Sequence, residues 1–161
     1  MNDFHRGRRL RGGAALRELV RETELRPQDL IMPYFVVETD DADFERPISS
    51  MPGQSQLSLE KLLARVAGQV ERGLKSVILF GIPKVKDEVG AQAYDDEGVV
   101  QQAVRRLKAA FPDLVVVTDV CLCEYTSHGH CGVIENGYVQ NDPTLELLAK
   151  SALSHARAGA D

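Results

Sequence analysis

Apolar residues come in two rhythms along the chain. Ile31 to Val37, I-M-P-Y-F-V-V, is a continuous apolar run of strand length and reads as a first buried strand, with Pro33 marking an irregularity in it. Glu38 to Ser58 is rich in acids, Ser, Pro and Gly and reads as a loop. The helical rhythm follows: Leu59, Leu62, Leu63, Val66 and Val70 share one face, and Gly73 stops the helix. Ser58 stands as its N-cap, but Lys61 occupies the place of a capping-box acid, so the cap is half made. Ser76 to Ile82 is a second strand, closed by Pro83, and Lys84 to Asp96 is a polar loop. Gly98 to Phe111 carries Val99, Val100, Val104, Leu107 and Phe111 at helical spacing and is ended by Pro112. Leu114 to Cys123 reads as the third strand. Glu135-Asn136-Gly137-Tyr138 predicts a tight hairpin, because Asn-Gly supplies the positive φ angles of a type I′ turn. Asp142 then caps a last helix, with Pro143 at its first position, running through Leu145, Leu148, Ala152 and Leu153 to Gly159.

Strand and helix alternate three times, which implies an α/β fold of parallel strands covered by helices. Ala-Gly-Ala-Asp at the end of the chain stands where a further strand is expected. A (β/α)8 barrel takes about 250 residues, so these 161 read as its first three βα units plus an N-terminal arm and a hairpin. The expected division is an oligomerisation arm at 1–28 and the N-terminal half of a TIM-barrel catalytic domain at 29–161.

Composition changes this picture only in part. Hydrophobic residues are 43% and charged residues 27%, an ordinary soluble balance. No apolar run approaches the roughly 20 residues that span a bilayer, and Met1 to Gly13 lacks the apolar core of a secretory signal. Three cysteines, two of them two residues apart, argue against a disulfide framework and for a reducing, cytoplasmic setting. A net charge of −5 gives no reason to expect a nucleic-acid partner. The arginines are uneven: Arg6, Arg8, Arg9, Arg11, Arg17, Arg21 and Arg26 crowd the start. They read either as a solvated arm or as one that docks on a neighbouring subunit; no aromatic residues interleave with them as in a nucleic-acid surface.

All three cysteines fall within Cys121 to Cys131, C-L-C-E-Y-T-S-H-G-H-C, directly after the third strand. If that strand persists, alternation puts Asp119, Cys121 and Cys123 on one side, at the C-terminal mouth where barrel active sites lie. Cys131 can return from the loop as a third thiolate. Soft thiolates select zinc, Cu(I) or iron–sulfur clusters, and zinc is expected here. Three cysteines leave the fourth zinc position open, the layout of a catalytic site. Two alternatives stand beside it: a closed Cys3His site completed by His128 or His130, in a small zinc-binding structural or interaction module, or three free thiols. Asp119 reads either as a carboxylate working beside the metal or as a polar strand end hydrogen-bonding a loop. Glu124, Tyr125, Thr126 and Ser127 are candidates to aim the ligands, Tyr125 equally a packing residue. Lys84 and Lys86 read as solvated, and no phosphate-binding glycine fingerprint occurs.

From Asp119 to Gly132, D-V-C-L-C-E-Y-T-S-H-G-H-C-G, the chain resembles porphobilinogen synthase, also called 5-aminolevulinate dehydratase. Arg46 to Gly53, Leu79 to Pro83, Lys86 to Gly90 and Asn141 to Leu145 resemble segments of that family in the same order. The resemblance covers nearly the whole chain. It implies a TIM barrel whose N-terminal arm packs on a partner subunit, usually in a homo-octamer. It implies condensation of two 5-aminolevulinate molecules to porphobilinogen, with loss of water, in tetrapyrrole and heme biosynthesis. Cys121, Cys123 and Cys131 would bind the catalytic zinc, and Asp119 would lie near the substrate amino groups. His130 matches a position of a second, weaker metal site in some members. Gln54-Ser55-Gln56 departs from the apolar residue and arginine that many relatives carry there. The family's two Schiff-base lysines, its lid and its magnesium-binding acid lie in the later half of its sequence. The resemblance therefore implies a chain that is inactive alone.

Overall fold

A computed structural model describes residues 7–161; the first six residues of the expected arm, Arg6 among them, lie outside the described residues. Of seven strands, five follow from the two rhythms or from the Asn-Gly turn, and two early ones do not. The strands are β1 (Met32–Val37), β2 (Glu45–Pro47), β3 (Ser55–Leu57), β4 (Ser76–Ile82), β5 (Val115–Thr118), β6 (Val133–Glu135) and β7 (Tyr138–Gln140). The helices are α1 (Ala14–Leu19), α2 (Leu59–Val70), α3 (Val99–Ala110) and α4 (Asn141–Ala158). The main sheet runs β2-β3-β1-β4-β5. β1 pairs in parallel with both β3 and β4, and β4 with β5; β2 is the antiparallel exception at the edge.

The order β1-β4-β5 matters more than the parallelism. Strands that follow one another through a helix lie side by side, without the reversal of strand order that marks an open doubly wound sheet. All their helices therefore fall on one face, as in a (β/α)8 barrel. The fold is that of a TIM barrel in part, with three βα units, a hairpin and an N-terminal segment. Tyr34 and Val36 of β1, Val77 and Leu79 of β4 and Val116 of β5 are buried against Leu62 and Val66 of α2 and Val100, Ala103, Val104 and Leu107 of α3. Each large side chain buried this way contributes about 1.5–3 kcal/mol. The alternate residues Phe35, Ile78, Phe80 and Val117 line the other face and are only half buried; Phe35 stacks on Phe80 with ring centroids 5.3 Å apart.

Three sequence expectations need correction. The segment 38–58 is not all loop, since β2 and β3 lie in it; each has three residues and neither has an alternating apolar face. The third strand ends at Thr118 rather than Cys123. The last helix begins at Asn141 after an N-cap at Gln140 whose side chain makes no cap bond, so Asp142 lies in its first turn and Pro143 is not at its first position. Thr144 Oγ1, which accepts from the Val133 N–H at 3.0 Å, ties that helix start to β6.

Other local expectations hold. Ser58 caps α2, its hydroxyl accepting from the Lys61 N–H at 3.2 Å. Asn136 and Gly137, with φ of 51° and 79°, make the hairpin turn, and Glu135 pairs with Tyr138 across it. Among the described residues, no helix is long and apolar enough to cross a membrane.

Candidate metal centre

Asp119 is the last residue held by the sheet: its N–H donates to the Leu79 carbonyl at 3.2 Å. Beyond it the backbone coils. The N–H groups of Tyr125 and Thr126 both donate to the Leu122 carbonyl at 2.9 Å, closing one helix-like turn. Spacing of three and four residues puts Leu122, Tyr125 and Thr126 on the inner side of this turn, and all three are buried. Cys121, Cys123 and Glu124 face outward and are half buried. The gathering of Cys121 and Cys123 thus comes from a turn and not from strand alternation, which stops at Thr118.

Cys131 returns to the same place after the loop. Cys121 Sγ lies 3.3 Å from Cys123 Sγ and 3.3 Å from Cys131 Sγ. Asp119, Cys121 and Glu124 form a second close group sharing Cys121. Two contacts hold the loop between the cysteines. Thr126 Oγ1 donates to the His130 carbonyl at 2.8 Å, and the Ser127 N–H donates to the Asp87 carbonyl at 2.8 Å. Asp87 organises the loop after β4 as well, its carboxylate accepting from the Val89 and Ala91 N–H groups at 3.0 Å each. Sequence reading placed Asp87 inside a family-like segment but gave it no role; an Asp two residues ahead of Val89 in a polar loop is also the pattern of a local Asx turn.

The His128 ring turns elsewhere. His128 Nδ1 accepts from the His130 N–H at 3.2 Å, which leaves Nε2 to donate to the Glu88 carbonyl at 3.1 Å. Among the described residues, neither His128 nor His130 belongs to a metal-capable group with the cysteines. Lys84 is exposed and paired with Asp40 at 2.8 Å, which raises its pKa.

The electrostatics suit a cation. Burial pushes the Cys121 and Cys123 thiols up; at Cys123 the Glu124 carboxylate, 3.1 Å away, adds to the effect. Burial and then Glu124 also raise Asp119, against a smaller opposing bond from the Val120 N–H. Acidic groups crowded this way resist ionising together, and a divalent ion among them reverses that by neutralising their charge. The donor set fits zinc. Tetrahedral zinc with sulfurs at about 2.3 Å separates them by about 3.8 Å, so Cys121 Sγ needs to stand only about 0.5 Å farther from each of the other two.

The family model described as delta-aminolevulinic acid dehydratase matches residues 4–161. The chain belongs to that family. It is 52% identical over 158 residues to the delta-aminolevulinic acid dehydratase of Bacillus subtilis, covering 98% of this chain and 48% of that protein. It is 54% identical over 156 residues to that of Archaeoglobus fulgidus, covering 97% and 48%. A crystal structure of the Toxoplasma gondii delta-aminolevulinic acid dehydratase (porphobilinogen synthase), in complex with its reaction product porphobilinogen, superimposes with a TM-score of 0.91 at 40% identity. That match covers 98% of this chain and 45% of the other. The chain thus spans about half the length of these dehydratase relatives.

Proposed function

We propose that this chain carries the metal-binding part of the active site of a zinc-dependent porphobilinogen synthase, a lyase that joins two 5-aminolevulinate molecules into porphobilinogen with loss of water. The observation that supports this most is the convergence of three thiols beside Asp119, just past the C-terminal end of β5, in a chain of the dehydratase family. Cys121, Cys123 and Cys131 would hold the zinc. His128 bonds elsewhere and neither histidine joins the cysteine group, which favours an open fourth position over a closed Cys3His site. Bound there, zinc supplies Lewis-acid polarisation of a substrate oxygen. Asp119 holds its proton more tightly than an ordinary carboxyl, so it is suited to exchange one with a substrate amino group and, when ionised, to pair with the ammonium form.

Schiff-base chemistry requires an amine of lowered pKa. Lys61 and Lys84 are shifted the other way by Asp43 and Asp40. We therefore assign no covalent role to them and expect the 161-residue chain alone to bind metal without turning substrate over. Three free thiols suit a reducing compartment such as the cytoplasm.

Metal analysis of the reduced, purified chain tests the assignment. About one zinc per chain is expected for wild type and close to none for Cys123→Ser. Unchanged zinc in the Cys123→Ser variant would overturn it.

A further inference from the structure

The segment Leu79-Phe80-Gly81-Ile82-Pro83 brings no ligand to the cysteines, yet it lies against their turn. Gly81 is buried at the C-terminal end of β4. A methyl group placed on it would overlap the Tyr125 hydroxyl outright, and would stand 2.6 Å from Val100 Cγ2 and 3.1 Å from Tyr125 Cζ. Real side-chain carbons do not come this close, so the missing side chain of Gly81 is a notch that the Tyr125 phenol fills. Tyr125 is 4% exposed and sits two residues after Cys123. It shares a buried cluster with Leu122 and Ala93. Its phenol reaches from the cysteine turn to the end of β4. Where the ring stops against β4 sets how far the turn stands above the sheet.

We infer that the Gly81–Tyr125 contact is a positioning device that holds the turn carrying Cys121 and Cys123 where their thiols can meet one metal ion. The inference rests on the zinc reading above for its purpose, but not for its geometry. Leu122, Tyr125 and Thr126 are the inner face of the same turn whose outer face carries the two thiols. A phenol pushed outward by a methyl on β4 must carry the outer face with it or break the turn. Packing this close transmits displacement instead of absorbing it. Tyr125 is a positioning residue and touches no reacting atom.

The test uses Gly81→Ala, Tyr125→Phe and their combination in the 161-residue chain, with Val100→Ala added to relieve the second overlap. Gly81→Ala/Val100→Ala is expected to bind zinc about 10- to 100-fold more weakly than Val100→Ala in competition with a chromophoric chelator. Its cobalt-substituted form is expected to show an altered thiolate-to-metal absorption band. Adding Tyr125→Phe removes the overlapping oxygen and is expected to recover most of the affinity at unchanged thermal stability. General destabilisation would not produce that rescue. The same variants are titrated, reduced and metal-free, with phenylarsine oxide, a trivalent arsenical that bridges two neighbouring thiols. Loss of bridging in Gly81→Ala/Val100→Ala and its return with Tyr125→Phe supports the positioning role even if wild type binds no zinc, an outcome that would sink the zinc reading alone. Wild-type zinc affinity and arsenical bridging in Gly81→Ala/Val100→Ala, or no rescue by Tyr125→Phe, would overturn the inference.

Discussion

His155 shows what a single buried side chain does to the whole. It lies on α4, 2% exposed, with neither ring nitrogen hydrogen-bonded. Burial depresses its pKa below the ordinary 6.5. The unfolded chain takes up a proton near the ordinary value while the folded one resists. Folding stability is therefore full above that value and is lost as pH falls through the window below it. The expected loss is up to about 1.4 kcal/mol per pH unit from this group. Urea unfolding at pH 7 and pH 5.5 measures it, and His155→Leu should flatten the difference. An unchanged slope in His155→Leu would remove His155 as the cause. The neighbouring polar groups are satisfied by contrast: Gln101 Nε2 and Ser151 Oγ both donate to the Ala93 carbonyl, at 3.0 and 3.1 Å. None of this buried polar group was legible in the sequence. Gln101, Ser151, Ser154 and His155 look like a helix's solvent side until α3 and α4 are known to pack together.

Among the elements, legibility tracked burial on both faces and length. β1 and β4 are long, apolar and flanked by strands, and the sequence places them to within a residue. β5 was overextended because Val120 prolongs the β-branched run, although the chain has already left the sheet there. The cysteine cluster was legible as a cluster. Its geometry was not, because a helix-like turn with Leu122, Tyr125 and Thr126 inward has no signature inside so short a motif. The half-made cap of α2 has a measurable consequence. Ser58 closes its helix and also donates to the Ala42 carbonyl at 2.5 Å, pinning the loop that leads to β2. Ser58→Ala should cost about 1–2 kcal/mol in chemical denaturation with helix content retained. A cost below a few tenths would mean that neither bond matters.

For the molecule as a whole, the arm is the least self-sufficient part. α1 buries no residue, and Leu19 and Leu25 are 81% and 76% exposed, with Leu10, Val20, Leu30 and Ile31 also exposed. An apolar series this long on one segment suits a second copy of the chain, the docking on a neighbouring subunit that the resemblance implies for the arm. Removing residues 1–28 should therefore reduce the assembly seen by sedimentation while far-UV circular dichroism keeps its α/β shape. A truncated chain that sediments as wild type does would count against the arm as the contact. The half-buried face of Phe35, Ile78, Phe80 and Val117 is the side that alternation directs toward the interior of a barrel.

Asp87 joins the loop after β4 to the cysteine turn, through its carbonyl to Ser127 and a bridge pairing with Thr126. Ala93, six residues on, is held by α3 and α4 together. The two loops therefore share their fastenings and should come loose as one cooperative unit. In hydrogen–deuterium exchange, the amides of Ala91 and Ser127 should exchange at similar rates, and Asp87→Ala should speed both. If Asp87→Ala speeds only Ala91, the two loops breathe separately.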